Sequence, residues 1–186
     1  MKPALVEISV FSDGRTSVEI RTSIEALLTG INGRYRNTRE APNSAEYDAL
    51  RELESDELRL AFEKFSDKLI EGVELRVDSG VVPLTMEAVD IPPPGYTKVP
   101  RASVIRLGGV IPKGSTSVQW YYPLRFGDQA VRVRQVNERE GEYHWSGHQW
   151  VKDDRPSEPF SLTEVFAKPT FWTVAGMYTE IGFLHI

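Results

Sequence analysis

Alternating apolar and polar residues open the chain. Residues 4–12 and 17–22 alternate with a period of two, and Asp13-Gly14 stands between them. An Asp-Gly pair favours a tight hairpin, because glycine tolerates the positive φ that such a turn requires. The sequence therefore predicts two antiparallel strands. Their core-facing residues are predicted to be Val6, Ile8, Val10, Val18 and Ile20.

Helical spacing follows the hairpin. Ser23 is predicted to cap a short helix over residues 24–29 that Gly30 ends, and Ser44 a second helix to about Leu53. A third helix is predicted from a cap at Ser55 to Gly72. Its apolar residues lie at helical spacing and form one face: Leu58, Ala61, Phe62, Phe65 and Leu69. This face is interpreted as packing on a sheet, with a partner-binding helix as the alternative.

Strand patterns return after Gly72 and continue to residue 150. The predicted strands cover residues 73–78, 81–89, 102–107, 117–122, 130–135 and 142–150. Turn residues separate them at short intervals, which is typical of an antiparallel sandwich. The fold class is therefore predicted as mainly β: a sandwich-like domain over residues 1–160, with a helical segment inserted at about 23–72.

Composition narrows the function. The chain has 186 residues, of which 40% are hydrophobic, so it can form a core. Its 27 acidic and 22 basic residues give a net charge of −5, which argues against general nucleic-acid binding. The absence of cysteine excludes disulfides and thiolate metal sites in this chain.

The last residues of the chain are apolar. Residues 170–186 contain Glu180 as their only formal charge, and Phe171 and Trp172 stand near the start of this stretch. Aromatic residues before an almost uncharged stretch are typical of a helix that enters a membrane. Residues 161–186 are therefore predicted to be a linker and the start of a membrane-proximal or transmembrane helix. A helix docked on the sandwich is the alternative.

Two histidines stand close together in the last predicted strand. On a continuous strand, His144 and His148 share a face with Glu142. Two imidazoles and a carboxylate could bind a transition metal such as zinc, nickel or copper. Four residues of strand span about 13 Å, so one ion could join them only if Gly147 bends the chain. Otherwise they are two surface histidines.

Two further groups of residues could take part in binding or catalysis. Trp145 and Trp150 could form an aromatic platform for a glycan, although core packing explains most tryptophans equally well. Ser146 lies between the histidines, but the nucleophile elbow of a serine hydrolase does not surround it. Nucleotide-binding fingerprints are also absent from the sequence. The chain is therefore predicted not to be an enzyme.

Short motifs resemble a known membrane-protein family. Gly182, His185 and Ile186 are similar to a Gly-x-x-His-Ile stretch that approaches the first transmembrane helix of HupE/UreJ-like proteins. Residues 2–8 resemble the opening strand of the extracytoplasmic domain in one branch of that family. Phe126-Gly127-Asp128 with residues 131–133 resembles a late strand of the same domain.

The resemblance implies a function. HupE/UreJ-like proteins are associated with hydrogenase and urease accessory roles and with nickel or cobalt transport. The chain is then expected to be the extracytoplasmic, periplasmic domain of an inner-membrane protein that assists metal handling or contacts a protein partner. His185 would be the first histidine of the family's metal motif. The alternative function is a free-standing β-sandwich module that binds a glycan or a protein.

Overall fold

The computed structural model describes residues 3–31, 35, 38–78, 80–96 and 99–165. In these ranges the α-helices are α1 (Ile24–Thr29), α2 (Ser44–Glu52) and α3 (Ser55–Gly72). The strands are β1 (Ala4–Phe11), β2 (Arg15–Thr22), β3 (Glu74–Val77), β4 (Gly80–Val82), β5 (Thr85–Asp90), β6 (Ser103–Val110), β7 (Ser117–Tyr121), β8 (Gln129–Asn137), β9 (Glu142–Trp145), β10 (Gln149–Val151) and β11 (Phe160–Ser161). The mainly β class with helices inserted at 23–72 is confirmed.

The strands form two sheets. The larger sheet has the order β10-β8-β1-β2-β6-β5, and β9 also pairs with β8. The smaller sheet has the order β11-β7-β3-β4. The pairings within both sheets are antiparallel except that of β1 with β8, which is parallel. This parallel pair places the late strand β8 beside the first strand of the chain.

One core lies between the two sheets and α3. Inward residues of the larger sheet, such as Ile8 and Val133, belong to the same buried cluster as Leu75 and Trp120 of the smaller sheet. The Trp120 indole donates a hydrogen bond to the Gln129 side chain at 2.9 Å, which joins the two sheets inside the core. The arrangement is therefore sandwich-like.

The first hairpin and the first helix follow their sequence signals. β1 and β2 pair antiparallel as predicted, and Gly14 lies in the turn with φ +92°. Ser23 caps α1 by accepting a hydrogen bond from the Ala26 N–H, and Gly30 ends the helix with φ +69°. Both predictions are confirmed, because both depend on local backbone chemistry.

The caps of the two later helices differ from the prediction. Asn43 precedes α2, which begins at Ser44 itself. Glu54, not Ser55, is the N-cap of α3: its side chain accepts from the backbone at Glu57, whose own carboxylate accepts from the Glu54 N–H. A glutamate thus makes the reciprocal capping box that is usually begun by serine or threonine. The apolar face of α3 is buried as predicted through Leu58, Phe62 and Leu69.

Two predicted strands are each divided in the structure. The segment 81–89 breaks at Pro83-Leu84, so that β4 belongs to the smaller sheet and β5 to the larger one. Proline has no N–H to donate to a ladder, and the chain changes sheets at this point. The segment 142–150 breaks at 146–148, which separates β9 from β10. The prediction of one continuous strand there was wrong.

A single carboxylate joins the end of β3 to the start of β7. Asp78 accepts hydrogen bonds from the backbone N–H and the hydroxyl of Thr116, and from the Ser117 hydroxyl at 2.7 Å. These bonds, with that from the Thr116 backbone first, lower the pKa of Asp78 from 3.8 to about 2. The ionised form of Asp78 is therefore favoured in the folded chain.

The predicted boundary at residues 160 and 161 falls within β11. Phe160 pairs with Val118 and Ser161 with Ser117, so both residues belong to the smaller sheet. The predicted membrane-proximal helix, on the apolar stretch 170–186, lies outside the described residues. Among the helices that are described, none has the length and apolar character needed to cross a bilayer.

Candidate functional site

The side of the larger sheet that faces away from the core carries a group of charged and aromatic side chains that contact one another. We call this side the outer face. Alternation along β8 places Val131 and Val133 in the core, and therefore Arg132 and Arg134 on the outer face. Cross-strand partners share a face, so Trp145, which pairs with Arg134, lies there too.

The break at 146–148 brings both predicted tryptophans to this face. Trp150 pairs with Ala130, which alternation places on the same side as Arg132 and Arg134. On one continuous strand, Trp145 and Trp150 would face opposite sides, because they are five residues apart. Ser146 stabilises the break: its backbone N–H donates to the Val133 carbonyl, and its hydroxyl accepts from the Val133 N–H.

A row of alternating charges crosses the outer face. Arg106 contacts Glu19 at 3.2 Å, and Arg21 contacts Glu19 at 2.8 Å and Glu7 at 3.6 Å. Arg132 completes the row through a further ion pair with Glu7. The residues come from the four neighbouring strands β6, β2, β1 and β8. The row therefore holds the charged side chains in fixed positions relative to the sheet.

Burial and neighbouring charges shift the pKa values of two side chains on this face, Glu19 and His148. Burial opposes the ionisation of Glu19, but the hydrogen bonds and charges of Arg21 and Arg106 outweigh it, so that its pKa is lowered. The pKa of His148 is lowered by burial and then by the charge of Arg132. His148 therefore favours its neutral form beside the arginines.

The row of charges ends at an aromatic group. The Arg132 guanidinium lies 3.8 Å from the centre of the Trp145 ring, and the Arg134 guanidinium lies 5.0 Å from it. Arg134 also approaches Tyr143 at 5.9 Å. Such cation–π contacts are worth about 0.5–1 kcal/mol when exposed and more when desolvated. Tyr143 and Trp150 are 59% and 48% exposed, so their rings are accessible to a ligand.

The two predicted metal ligands are not brought together. His144 pairs with Gln135 on the inner side of the sheet, where it lines an open cleft of about 620 Å³, 3.8 Å from Glu142. His148 lies instead near Arg132 and Glu7 of the outer face. The expectation that His148 shares a face with Glu142 and His144 was wrong, since the strand is interrupted.

No cluster of three or more histidine, aspartate or glutamate side chains suited to a metal ion occurs within the described residues. The other predicted ligand, His185, lies outside them. The Ser146 hydroxyl, the possible nucleophile, donates to the Gly147 carbonyl at 2.9 Å and accepts from the Val133 N–H. It therefore serves the backbone at the strand break.

Sequence reasoning did not single out Arg132 and Arg134 as site residues. Their spacing of two within a predicted strand was a usable signal, because it places both on one face. Their neighbours Glu7 and Ser9 are more than 120 residues away in the chain, and the parallel pairing of β1 with β8 is what joins them.

Comparison with known proteins adds no relative to this description. We find no protein-family model and no curated protein sequence that matches the chain.

Proposed function

We propose that this chain is a non-catalytic binding domain that holds a partner molecule on the outer face of its larger sheet. One observation carries the proposal: two arginines and three aromatic side chains lie on one side of β8, β9 and β10, with Tyr143 and Trp150 about half exposed. Tryptophan, tyrosine and arginine are the residue types that dominate binding energy at protein interfaces.

The form of this surface also favours binding over catalysis. It is a sheet face, and its charged groups are already held by ion pairs and ring contacts on either side. A rigid group of this kind loses little side-chain entropy when a partner docks, which favours affinity. The face offers positioned donors and rings, which are suited to recognition.

We further propose that the chain is the extracytoplasmic domain of a HupE/UreJ-like inner-membrane protein. Support comes from the sequence resemblance of residues 2–8, 126–133 and 182–186 to that family. On this proposal the domain assists nickel or cobalt handling by contacting a partner, and the membrane part acts on the metal. The metal role rests on the resemblance alone.

The binding surface can be tested by photo-crosslinking in cells that make the protein. A benzophenone amino acid replaces Tyr143 on the outer face or, as the matched control, Tyr96, which is 67% exposed. A discrete adduct from position 143, weaker or absent from position 96, is the expected result. Equal labelling from both positions, or no adduct from position 143, would overturn the proposal.

The cellular location can be tested separately, because the chain contains no cysteine. Tyr96→Cys is introduced into the full gene product, and whole cells are treated with a maleimide that does not cross the inner membrane. Labelling of the variant but not of the parent protein is expected for an extracytoplasmic domain. Labelling that requires lysis of the inner membrane would contradict this location.

A neutral glycan is the second candidate ligand, favoured by the accessible ring of Trp150. Aromatic faces stack on the apolar surface of a sugar ring. Titration with neutral oligosaccharides, compared between the parent chain and Trp150→Ala, tests this directly. Saturable binding that is lost in the variant would support the glycan; absence of binding by the parent chain would exclude the sugars tested.

A further inference from the structure

We infer that the partner held on the outer face is an acidic protein segment, one carboxylate of which binds the guanidinium of Arg134. The inference rests on the proposed binding function and names the ligand chemistry of the same surface. Its basis is the difference between Arg134 and the other arginines around it.

Among the described residues, Arg134 makes no ion pair, unlike its three neighbours on the outer face. Arg132 pairs with Glu7, Arg106 with Glu19, and Arg21 with both glutamates. Arg134 instead donates to the neutral Ser9 hydroxyl, at 3.2 Å from Nε and 2.9 Å from Nη2. Its positive charge is thus left without a compensating carboxylate in the described structure.

The position of this charge is also fixed. The Ser9 hydroxyl anchors one side of the guanidinium, and the rings of Trp145 and Tyr143 lie within 5.0 and 5.9 Å of its carbon. A guanidinium offers five N–H donors in a planar fork that matches a carboxylate. Within the described residues this fork has unused donors and no carboxylate partner, which favours a carboxylate-bearing ligand.

The rings beside Arg134 favour a protein over an acidic glycan. Arg132 stacks 3.8 Å from the centre of Trp145, so the ring face beneath it is closed to a sugar. What remains exposed is a mixture of arginine, tyrosine and tryptophan on a sheet face, which is the composition of protein interfaces. The net charge of −5 also disfavours non-specific adsorption of an acidic chain, so any binding reports a local site.

The experiment uses the whole chain and short poly-L-glutamate as the probe. Binding is followed at low ionic strength by NMR, through the Trp145 indole N–H signal in every variant and also through the Arg134 Nε–H signal where Arg134 is present. Arg134→Gln removes the charge but keeps a donor for Ser9. Arg76→Gln is the matched control, because Arg76 is also a strand arginine beside a ring, 5.4 Å from Tyr121, but is paired with Glu74 at 2.6 Å.

Saturable shifts at Arg134 and Trp145 are expected in the parent chain. Arg134→Gln should bind the probe at least about tenfold more weakly, the effect of losing a charge-assisted hydrogen bond. Arg76→Gln should stay within about twofold of the parent. Arg134→Lys, which keeps the charge but not the fork, should fall between them. Matching backbone spectra of all variants establish that each is folded.

Polygalacturonate, a glycan with the same carboxylate chemistry, is the second probe. Tighter binding of polygalacturonate than of poly-L-glutamate would overturn the assignment of the ligand to a protein. Equal weakening by Arg134→Gln and Arg76→Gln, or no saturable shift with either probe, would overturn the role of Arg134. If the crosslink at Tyr143 persists in that case, the binding function stands and only the ligand chemistry is wrong; if it is also absent, both fail.

Discussion

The ion pair between Arg101 and Glu25 is predicted to be the most sensitive polar interaction of the helical insertion. The Glu25 side chain is fully buried, Arg101 exposes 4% of its side chain, and Nε lies 2.9 Å from Oε1. The same guanidinium donates to backbone carbonyl groups at the end of α2 and after β5. These belong to Leu50, Arg51, Leu53 and Pro92. Arg101 therefore connects α1, α2 and the segment after β5.

Replacement of Arg101 by methionine removes all of these contacts at once. It leaves the Glu25 carboxylate buried with a single described partner, the Ser23 hydroxyl at 2.7 Å. Breaking a buried ion pair by removing one partner costs about 3–5 kcal/mol. In a domain of this size, that lowers the melting temperature by about 10 °C and the urea midpoint by about 2 M.

The loss can be measured by urea denaturation followed by tryptophan fluorescence. Arg106→Met is the matched control, since it is the same substitution at an arginine that pairs with Glu19 but is 42% exposed. Exposed ion pairs contribute about 0–1 kcal/mol, so this control should remain within about 1 kcal/mol of the parent chain.

A double variant separates the charge from the shape of the site. Glu25→Leu together with Arg101→Met removes both charges, so it should be more stable than Arg101→Met alone, although the α2 carbonyls still lack their donor. Two results would refute the reasoning: a loss from Arg101→Met no larger than that from Arg106→Met, or a double variant that shows the sum of the two single losses.

Three further predictions concern other parts of the fold. Trp120→Phe removes the indole donor to Gln129 in the core and should cost about 1–3 kcal/mol in urea denaturation, whereas Trp150→Phe at the surface should cost less than about 0.5 kcal/mol. Because the pKa of Asp78 is lowered from 3.8 to about 2, its contribution is present above pH 3.8 and is lost as the pH falls through 2. Acid denaturation of Asp78→Asn should therefore show a weaker pH dependence in that range. The pKa of His148 lies below 6.5, so the parent chain should lose stability as the pH falls through 6.5, and His148→Gln should not. In each case, a variant whose stability depends on pH as steeply as that of the parent chain would contradict the prediction for that residue.

Local signals account for the parts of the fold that sequence predicted well. The β1–β2 hairpin depends on alternation and on Gly14, and α1 depends on Ser23 and Gly30, all within a few residues. The stripe on α3 likewise needs only helical periodicity. Each of these elements contains its own determinants, so their existence and type were predictable.

Long-range partners account for what was missed. The parallel pairing of β1 with β8 joins residues more than 120 positions apart, and no local pattern specifies it. Glu25 and Arg101, 76 residues apart, form a buried pair that only the folded chain creates. The division of the 142–150 strand had a local cue in Gly147, but whether a glycine bends a strand depends on the neighbouring β8.

That division also decides the candidate site. A continuous strand would have kept His144 and His148 on one face, as a metal site requires. The break instead places Trp150 on the same face as Arg132 and leaves His144 in the inner cleft. The break therefore places the two predicted metal ligands on opposite sides of the sheet and the two predicted tryptophans on the same side. The geometry therefore brings the two tryptophans to one face of the sheet and does not bring the two histidines together.

The ion pairs of the outer face contribute little to the stability of the fold, but their arrangement is relevant to the proposed binding function. Partly exposed ion pairs such as that of Arg106 with Glu19 add little to folding, but the row gives each of its arginines a carboxylate partner on the sheet. Arg132 is held by Glu7 and in turn covers Trp145, whereas Arg134 makes no ion pair within the described residues and donates to the Ser9 hydroxyl instead. Solubility alone does not require a guanidinium placed between the Ser9 hydroxyl and two aromatic rings, whereas the proposed binding of a carboxylate does.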